Sequence, residues 1–251
     1  MFLEDYIWFF AAIVFCMILS GIASAKVRGS FAKNNNIRCR SGMTGYDTAV
    51  RLMRYGGVSD ISVGRVRGHL TDHYHPTKRV VNLSESTYQN SSVAAVAVAA
   101  HEIGHVMQKK EGFAFYKVRT ALVPVVNFGS FLAMPLVLVG LFMDYLVVSL
   151  PENAGFYVAM VGVALYGGSL LFALVTLPVE FNASNRAMRA LRNSGLYSRR
   201  ELAQAREVLT AAALTYVAAL ITSLANLLRL ILILNQKWSL RHSLRRCQVY
   251  A

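Results

Sequence analysis

Charge is scarce in this chain, and acidic charge most of all. Only 16% of its 251 residues are Asp, Glu, Lys or Arg, with 13 acidic side chains against 26 basic ones. An ordinary soluble domain carries about 25%. Cysteine is nearly missing too: Cys16 falls in an apolar run, while Cys39 and Cys247 stand alone in basic segments. That pattern excludes a disulfide framework, and none of the three has a spacing that would recruit zinc. No nucleic-acid motif accompanies the net charge of +13, so the basic excess does not read as a nucleic-acid surface. Lys and Arg are absent before Lys26, and Glu4 and Asp5 precede the first apolar run. A cleaved signal peptide has a basic start and a shorter apolar core, so this run is expected to be a retained anchor.

What the chain has in excess is apolar length. Its 55% apolar content and mean hydropathy of +0.41 indicate a membrane protein. Four stretches approach the roughly 20 residues a bilayer requires: Ile7 to Ala25, Ala121 to Met143, Phe156 to Leu177 and Ala211 to Leu234. The basic residues sort between them. Residues 26–120 hold fifteen Lys or Arg and residues 181–210 hold six, whereas Asp144 to Gly155 hold none. By the positive-inside rule the N-terminus and the 144–155 loop lie outside and both basic segments lie in the cytoplasm. Anionic lipid head groups are the expected partners of the juxtamembrane cations. The fourth stretch is ambiguous, because it contains Asn226 and Arg229 and a basic tail follows it. It either crosses with Arg229 snorkelling or lies at the interface.

Chemistry is concentrated in His101-Glu102-Ile103-Gly104-His105, at the end of the small apolar run Val93 to Ala100. Two histidines at i and i+4 share one helical face, so both imidazoles can reach a single metal ion. Glu102 follows the first of them, placed to act on a water without being a ligand. This is the zincin arrangement of Zn²⁺ ligands and general base, and it points to peptide hydrolysis. Gly104 would let another segment approach the helix closely.

Ahead of the motif, residues 26–42 read as a polar juxtamembrane linker. Thr44 and Asp47 read as the capping box of a short helix ended by Gly56-Gly57. Val58 to Val66, Leu70 to Tyr74 and Arg79 to Leu83 read as strands, the last two joined around His75-Pro76-Thr77. Ser91 or Ser92 would cap the motif helix. A peptide substrate could add as a strand to this sheet, bringing His73 and Tyr74 into contact with it. His69, His73 and His75 are not needed as ligands, since the histidine pair and one carboxylate already fill three protein positions.

For that carboxylate, Glu111 sits too close on the motif's own helix, and His242 lies far away in the basic tail. Glu180 follows the third apolar stretch and Pro178, on the same expected side as His101 and His105. A carboxylate at a membrane edge is usually functional.

Glu180-Phe181-Asn182-Ala183-Ser184 and the His101–His105 motif, separated by an apolar hairpin, resemble the YugP-type membrane zinc metallopeptidases. Leu70-Thr71-Asp72-His73-Tyr74 and Leu83-Ser84-Glu85 extend that resemblance to nearly the whole chain. The HtpX and CAAX-prenyl peptidases are more distantly similar. The resemblance implies gluzincin-type binding of Zn²⁺ by His101, His105 and Glu180, with Glu102 catalytic. Two departures stand out. HtpX-like chains place Asp four residues after the ligand Glu to orient a ligand histidine, where this chain has Ser184; Ser184, Asn182 and Asn185 are the candidates to replace it. His75 stands where Asp is expected.

The expected fold class is an α-helical membrane protein with about four transmembrane helices and a small cytoplasmic α+β zincin-like catalytic domain. Residues 7–25 form the first helix, 26–120 the catalytic segment, and 121–177 a transmembrane hairpin. Residues 178–210 bring Glu180, 211–234 are transmembrane or interfacial, and 235–251 form the tail. The expected activity is that of a zinc endopeptidase in the cell membrane, facing the cytoplasm and acting on peptides or proteins, membrane proteins among them. An intramembrane site-two-type protease would need the motif inside a span and a Leu-Asp-Gly segment, and the chain has neither. A non-catalytic scaffold with a relict zinc site would have no need of Glu102.

Overall fold

The computed structural model describes the backbone of residues 2–146 and 153–249, with side chains over 10–143 and 153–236. Seven helices and three short strands are seen among them: α1 (Phe2–Asn35), α2 (Gly45–Tyr55), β1 (Ser62–Val66), β2 (His73–His75), β3 (Val80–Ser84), α3 (Glu85–Tyr88), α4 (Val93–Lys110), α5 (Ala114–Leu146), α6 (Ala154–Asn193) and α7 (Arg199–Val249). Four of the helices are long and apolar enough to cross a membrane, within Phe10–Asn35, Ala114–Met143, Ala154–Asn193 and Arg199–Gln236. The tail beyond Gln236, with His242 and Cys247, and most of the 144–155 loop have no described side chains.

The chain divides into two compact units. One comprises Met1–Ile18, Arg119–Val175 and Ala219–Ala251. Within it, Val137, Ala159, Val163, Leu230 and Leu234 form an apolar core. Helices α5 and α6 approach closely through Gly140, which abuts Gly155 and Ala159, and Gly162, which abuts Ala133 and Val137. Small residues at such crossings substitute close backbone packing for hydrophobic drive, which lipid does not supply. Outward, Phe128, Phe131, Val139, Phe142 and Leu232 remain exposed. Apolar surface on this scale is expected to face lipid.

The second unit comprises Leu19–Val118 and Thr176–Ala218. Its core gathers Phe31 from α1, Leu52 and Met53 from α2, Val81 and Leu83 from β3, Val96 and Ile103 from α4, Leu191 from α6 and Val208 from α7. The sheet order is β1-β3-β2, with β1 parallel and β2 antiparallel to β3. Both expected caps are present: Thr44 and Asp47 close a capping box, and Ser92 Oγ accepts from Ala95 N at 3.1 Å.

Three expectations shift. The linker read at 26–42 is helical to Asn35, whose Oδ1 accepts from Asn90 Nδ2 and Ser92 Oγ, each at 2.8 Å. Polar residues there serve as a tie to the start of α4. The strands begin later than their apolar patterns. Leu70 (φ 57°) and Arg79 (φ 51°) are left-handed, which breaks an extended run, and Val58 N bonds back to Met53 O to finish α2. Finally, β3 is central, so its Arg79 to Leu83 stretch has no free edge for an added strand.

Candidate metal centre

Helix α4 sets His101 and His105 one turn apart, their rings edge to face with centroids 4.8 Å apart. Helix α6 brings Glu180, only 1% exposed, against them. Glu180 Oε2 lies 3.2 Å from His101 Nε2 and 3.6 Å from His105 Nε2. One ligand atom from each of the three falls within 4.8 Å of the others, the one such cluster among the described residues. Gly104 makes this approach possible, because a Cβ there would collide with the Ala183 carbonyl of α6.

The far side of each imidazole is held. Ser184 Oγ lies 3.2 Å from His101 Nδ1, in the place where an aspartate was expected in distant relatives. His105 Nδ1 meets Gln108 Oε1 at 3.0 Å. Gln108 Nε2 donates to the Val179 carbonyl at 2.7 Å and to Asn182 Oδ1 at 3.0 Å, which fixes its amide with the oxygen toward His105. The proton of His105 therefore sits on Nδ1, and Nε2 turns its lone pair toward Glu180. Asn182 Oδ1 also accepts from Arg186 Nε, and Arg186 pairs with Glu111 at 2.6 Å. Two imidazole lone pairs and a carboxylate suit a zinc ion, with room left in its shell for water.

Glu102, 7% exposed, stands beside this cluster without joining it. Burial pushes its carboxyl up to about 7; Asp72 and Glu180 add to the rise, while His101 and His73 oppose it.

Of the other anticipated residues, Ser184 and Asn182 reach the ligands, the second through Gln108. Asn185 does not; its carbonyl takes Arg189 Nε. His73 uses both ring nitrogens, on the Thr71 carbonyl at 2.9 Å and Asn82 Nδ2 at 3.0 Å. His69 packs edge-on against Phe31, and His75 Nδ1 accepts from Lys78 N. None of the three joins the cluster. Tyr74 lies on β2 with Lys109 Nζ 5.9 Å from its ring centroid, and its buried hydroxyl has no hydrogen-bond partner. Burial, reinforced by Tyr116 and Asp60 and opposed by Arg79, raises that hydroxyl to about 12.

Sequence reasoning missed Gln108. Its spacing of three from His105 was the available signal, since i and i+3 share a helical face. A second unforeseen network holds β2 near Glu102: Asp72 accepts from Ser84 N at 2.8 Å and from Ser84 Oγ at 2.7 Å.

Comparison with known proteins points to a zinc peptidase family. The family described as "Putative neutral zinc metallopeptidase" matches residues 9–235. The "Putative membrane protease YugP" of Bacillus subtilis (strain 168) is 42% identical over 215 residues, covering 86% of this chain and 91% of that protein. No solved structure matches the chain.

Proposed function

The chain belongs to the neutral zinc metallopeptidase family, and from that premise we propose that it is a membrane-embedded endopeptidase of gluzincin type. In this reading His101, His105 and Glu180 hold Zn²⁺, Glu102 is the general base, and the site faces the cytoplasm. The observation that carries it is the division of labour around α4. Three ligand atoms converge, and a fourth buried ionisable group stands next to them uncommitted.

Zinc, when bound, supplies a Lewis acid that polarises the scissile carbonyl and makes a water easy to deprotonate near neutral pH. Glu102 takes that proton and passes it to the leaving amine. Ser184 and Gln108 keep the two imidazoles turned toward the ion. The edge of β2 is the strand available to a substrate on the α4 side of the sheet, since β2 packs against α4. Tyr74, with its unpartnered buried hydroxyl, and His73 are the substrate-contact residues, and Tyr74 can donate to the carbonyl oxygen as it gains charge. Binding through main-chain hydrogen bonds makes few demands on substrate sequence, which fits a protease acting on varied polypeptides.

Metal content and hydrolysis measured on the same purified proteins test this assignment. Wild type is expected to carry about one zinc per chain, and His101→Ala, His105→Ala and Glu180→Ala to lose it. Glu102→Gln is expected to keep zinc while hydrolysis of an unstructured protein falls by about 10²-fold or more. Full zinc occupancy in Glu180→Ala would remove Glu180 from the ligand set.

A further inference from the structure

A cleft of about 590 Å³ opens between α1 and α7, and none of the metal-centre side chains lines it. Lys26, Ser30 and Lys33 line it from α1; Arg206, Glu207 and Thr210 line it from α7. Its depth along both helices is informative. The apolar stretch of α1 closes at Ala25, immediately before Lys26, and that of α7 opens at Ala211, immediately after Thr210. In helices that cross a bilayer this is the level of the lipid head groups.

The chemistry of the lining is equally specific. Lys33 Nζ bonds both oxygens of Glu207, at 2.9 and 3.1 Å, so those two charges offset each other. Lys26 and Arg206 have no hydrogen bond or ion pair among the described residues and leave the cleft with two uncompensated positive charges. Ser30 is 8% exposed, and its Oγ is buried without a hydrogen-bond partner. A desolvated hydroxyl of this kind destabilises the fold unless something accepts from it. Gly29, Ala203 and Ala211 complete the wall and project little into the space.

A phosphodiester satisfies all of these groups at once. It offers acceptor oxygens to the Arg206 fork, to the Lys26 ammonium and to the Ser30 hydroxyl. We propose that this cleft binds the head group of an anionic membrane lipid, its phosphate held by Lys26 and Arg206 and accepting from Ser30. The uncompensated charge favours an anionic lipid over a zwitterionic one. The site depends on the helices crossing a bilayer and is independent of the metal chemistry.

The test uses the full-length protein, delipidated in detergent and titrated with phosphatidylglycerol, with bound lipid counted by native mass spectrometry. The Lys26→Gln/Arg206→Gln pair is expected to weaken the first binding event by about tenfold or more, as loss of charge-assisted hydrogen bonds implies. The Arg199→Gln/Arg200→Gln pair removes the same charge from α7 outside the cleft and is expected to bind as wild type does. Ser30→Ala is expected to weaken binding a few-fold, and Arg206→Lys to restore part of what Arg206→Gln loses. Unchanged zinc content in the cleft variants confirms their fold; should wild type hold no zinc, an unchanged elution profile in size-exclusion chromatography serves instead. Equal losses in both double variants would overturn the proposal in favour of diffuse attraction. So would equal retention of phosphatidylcholine, or displacement of the lipid by inorganic phosphate at matching concentration.

Discussion

Glu102 and Gln108 show how much one side chain decides at this site. Glu102 is buried beside a cluster it does not join, and its carboxyl stands near 7 instead of its ordinary 4.5 in the metal-free protein. The sign of the consequence follows from linkage. A folded-state pKa above the unfolded one favours the protonated fold, so this stabilisation is complete below pH 4.5 and is lost as pH rises through about 7. The difference corresponds to about 3 kcal/mol. Zinc-stripped Glu102→Gln, which cannot ionise, is therefore expected to unfold at a higher temperature than zinc-stripped wild type at pH 8. At pH 4, below the unfolded value, the two should melt together, and an equal gap at both pH values would mean that burial of the charge is not the cause. Of the three metal-cluster side chains Gln108 touches only His105, while its amide nitrogen is anchored on α6, so Gln108→Ala should release the ring and lower zinc affinity by about 10–100-fold. Competition with a chelator measures that, and Gln108→Glu, which keeps an acceptor toward His105, should recover part of the loss.

At the scale of elements, the site is made by two helices meeting at a glycine. Helix α4 supplies both histidines, Glu102 and Gln108; helix α6 supplies Glu180, Asn182 and Ser184 within little more than one turn. The contact between them exists because Gly104 leaves space for the Ala183 carbonyl. The sheet stands beside this pair, with β2 at its edge and β3 in its middle. Proline within β2, at the position whose N–H points away from β3, removes a donor without touching zinc. Such a variant should cleave unrelated peptides more slowly by a similar factor and keep its metal. Normal cleavage by every folded β2 proline variant would exclude strand addition there. Proline in β3 serves as the contrast: it breaks the ladder on one side or the other, and loss of fold is expected.

For the whole molecule, the question is which way the helices run. Fifteen basic residues in 26–120 and six in 181–210, against none in 144–155, set the proposed orientation. A cysteine introduced at Asn153 should react with an impermeant thiol reagent applied outside intact cells, and one at Ser194 should react only after the membrane is opened. The reverse pattern would place the metal centre outside. Native Cys39 will not confuse the assay, because burial, assisted by Glu201, raises its thiol to about 12. Helix α7 runs unbroken from Arg199 to Val249 and contains an apolar stretch long enough to cross, so a continuous element carries Asn226 and Arg229.

The sequence by itself determined the periodic and the compositional features of this protein. Apolar length announced the four long helices, because a helix facing lipid must be apolar nearly all round. The i, i+4 histidines and the Thr44 and Asp47 cap were legible because each depends on spacing within one helix or turn, and Gly104 was legible because a residue without a Cβ marks a place where another segment can come close. Tertiary structure decided what depends on distant segments. Leu70 and Arg79 look like strand residues, and the fold places them in left-handed conformations. Asn34, Asn35 and Asn36 look like linker, yet Asn35 ties α1 to the cap of α4 across more than fifty residues. Glu180 could be nominated from its neighbourhood, but only the packing of α6 on α4 puts its carboxylate at both imidazoles. The same packing turned Gln108 from an unremarked residue of α4 into the group that fixes the His105 proton. A hydrogen bond between groups dozens of residues apart leaves no periodic mark in a sequence, so these contacts had to be seen.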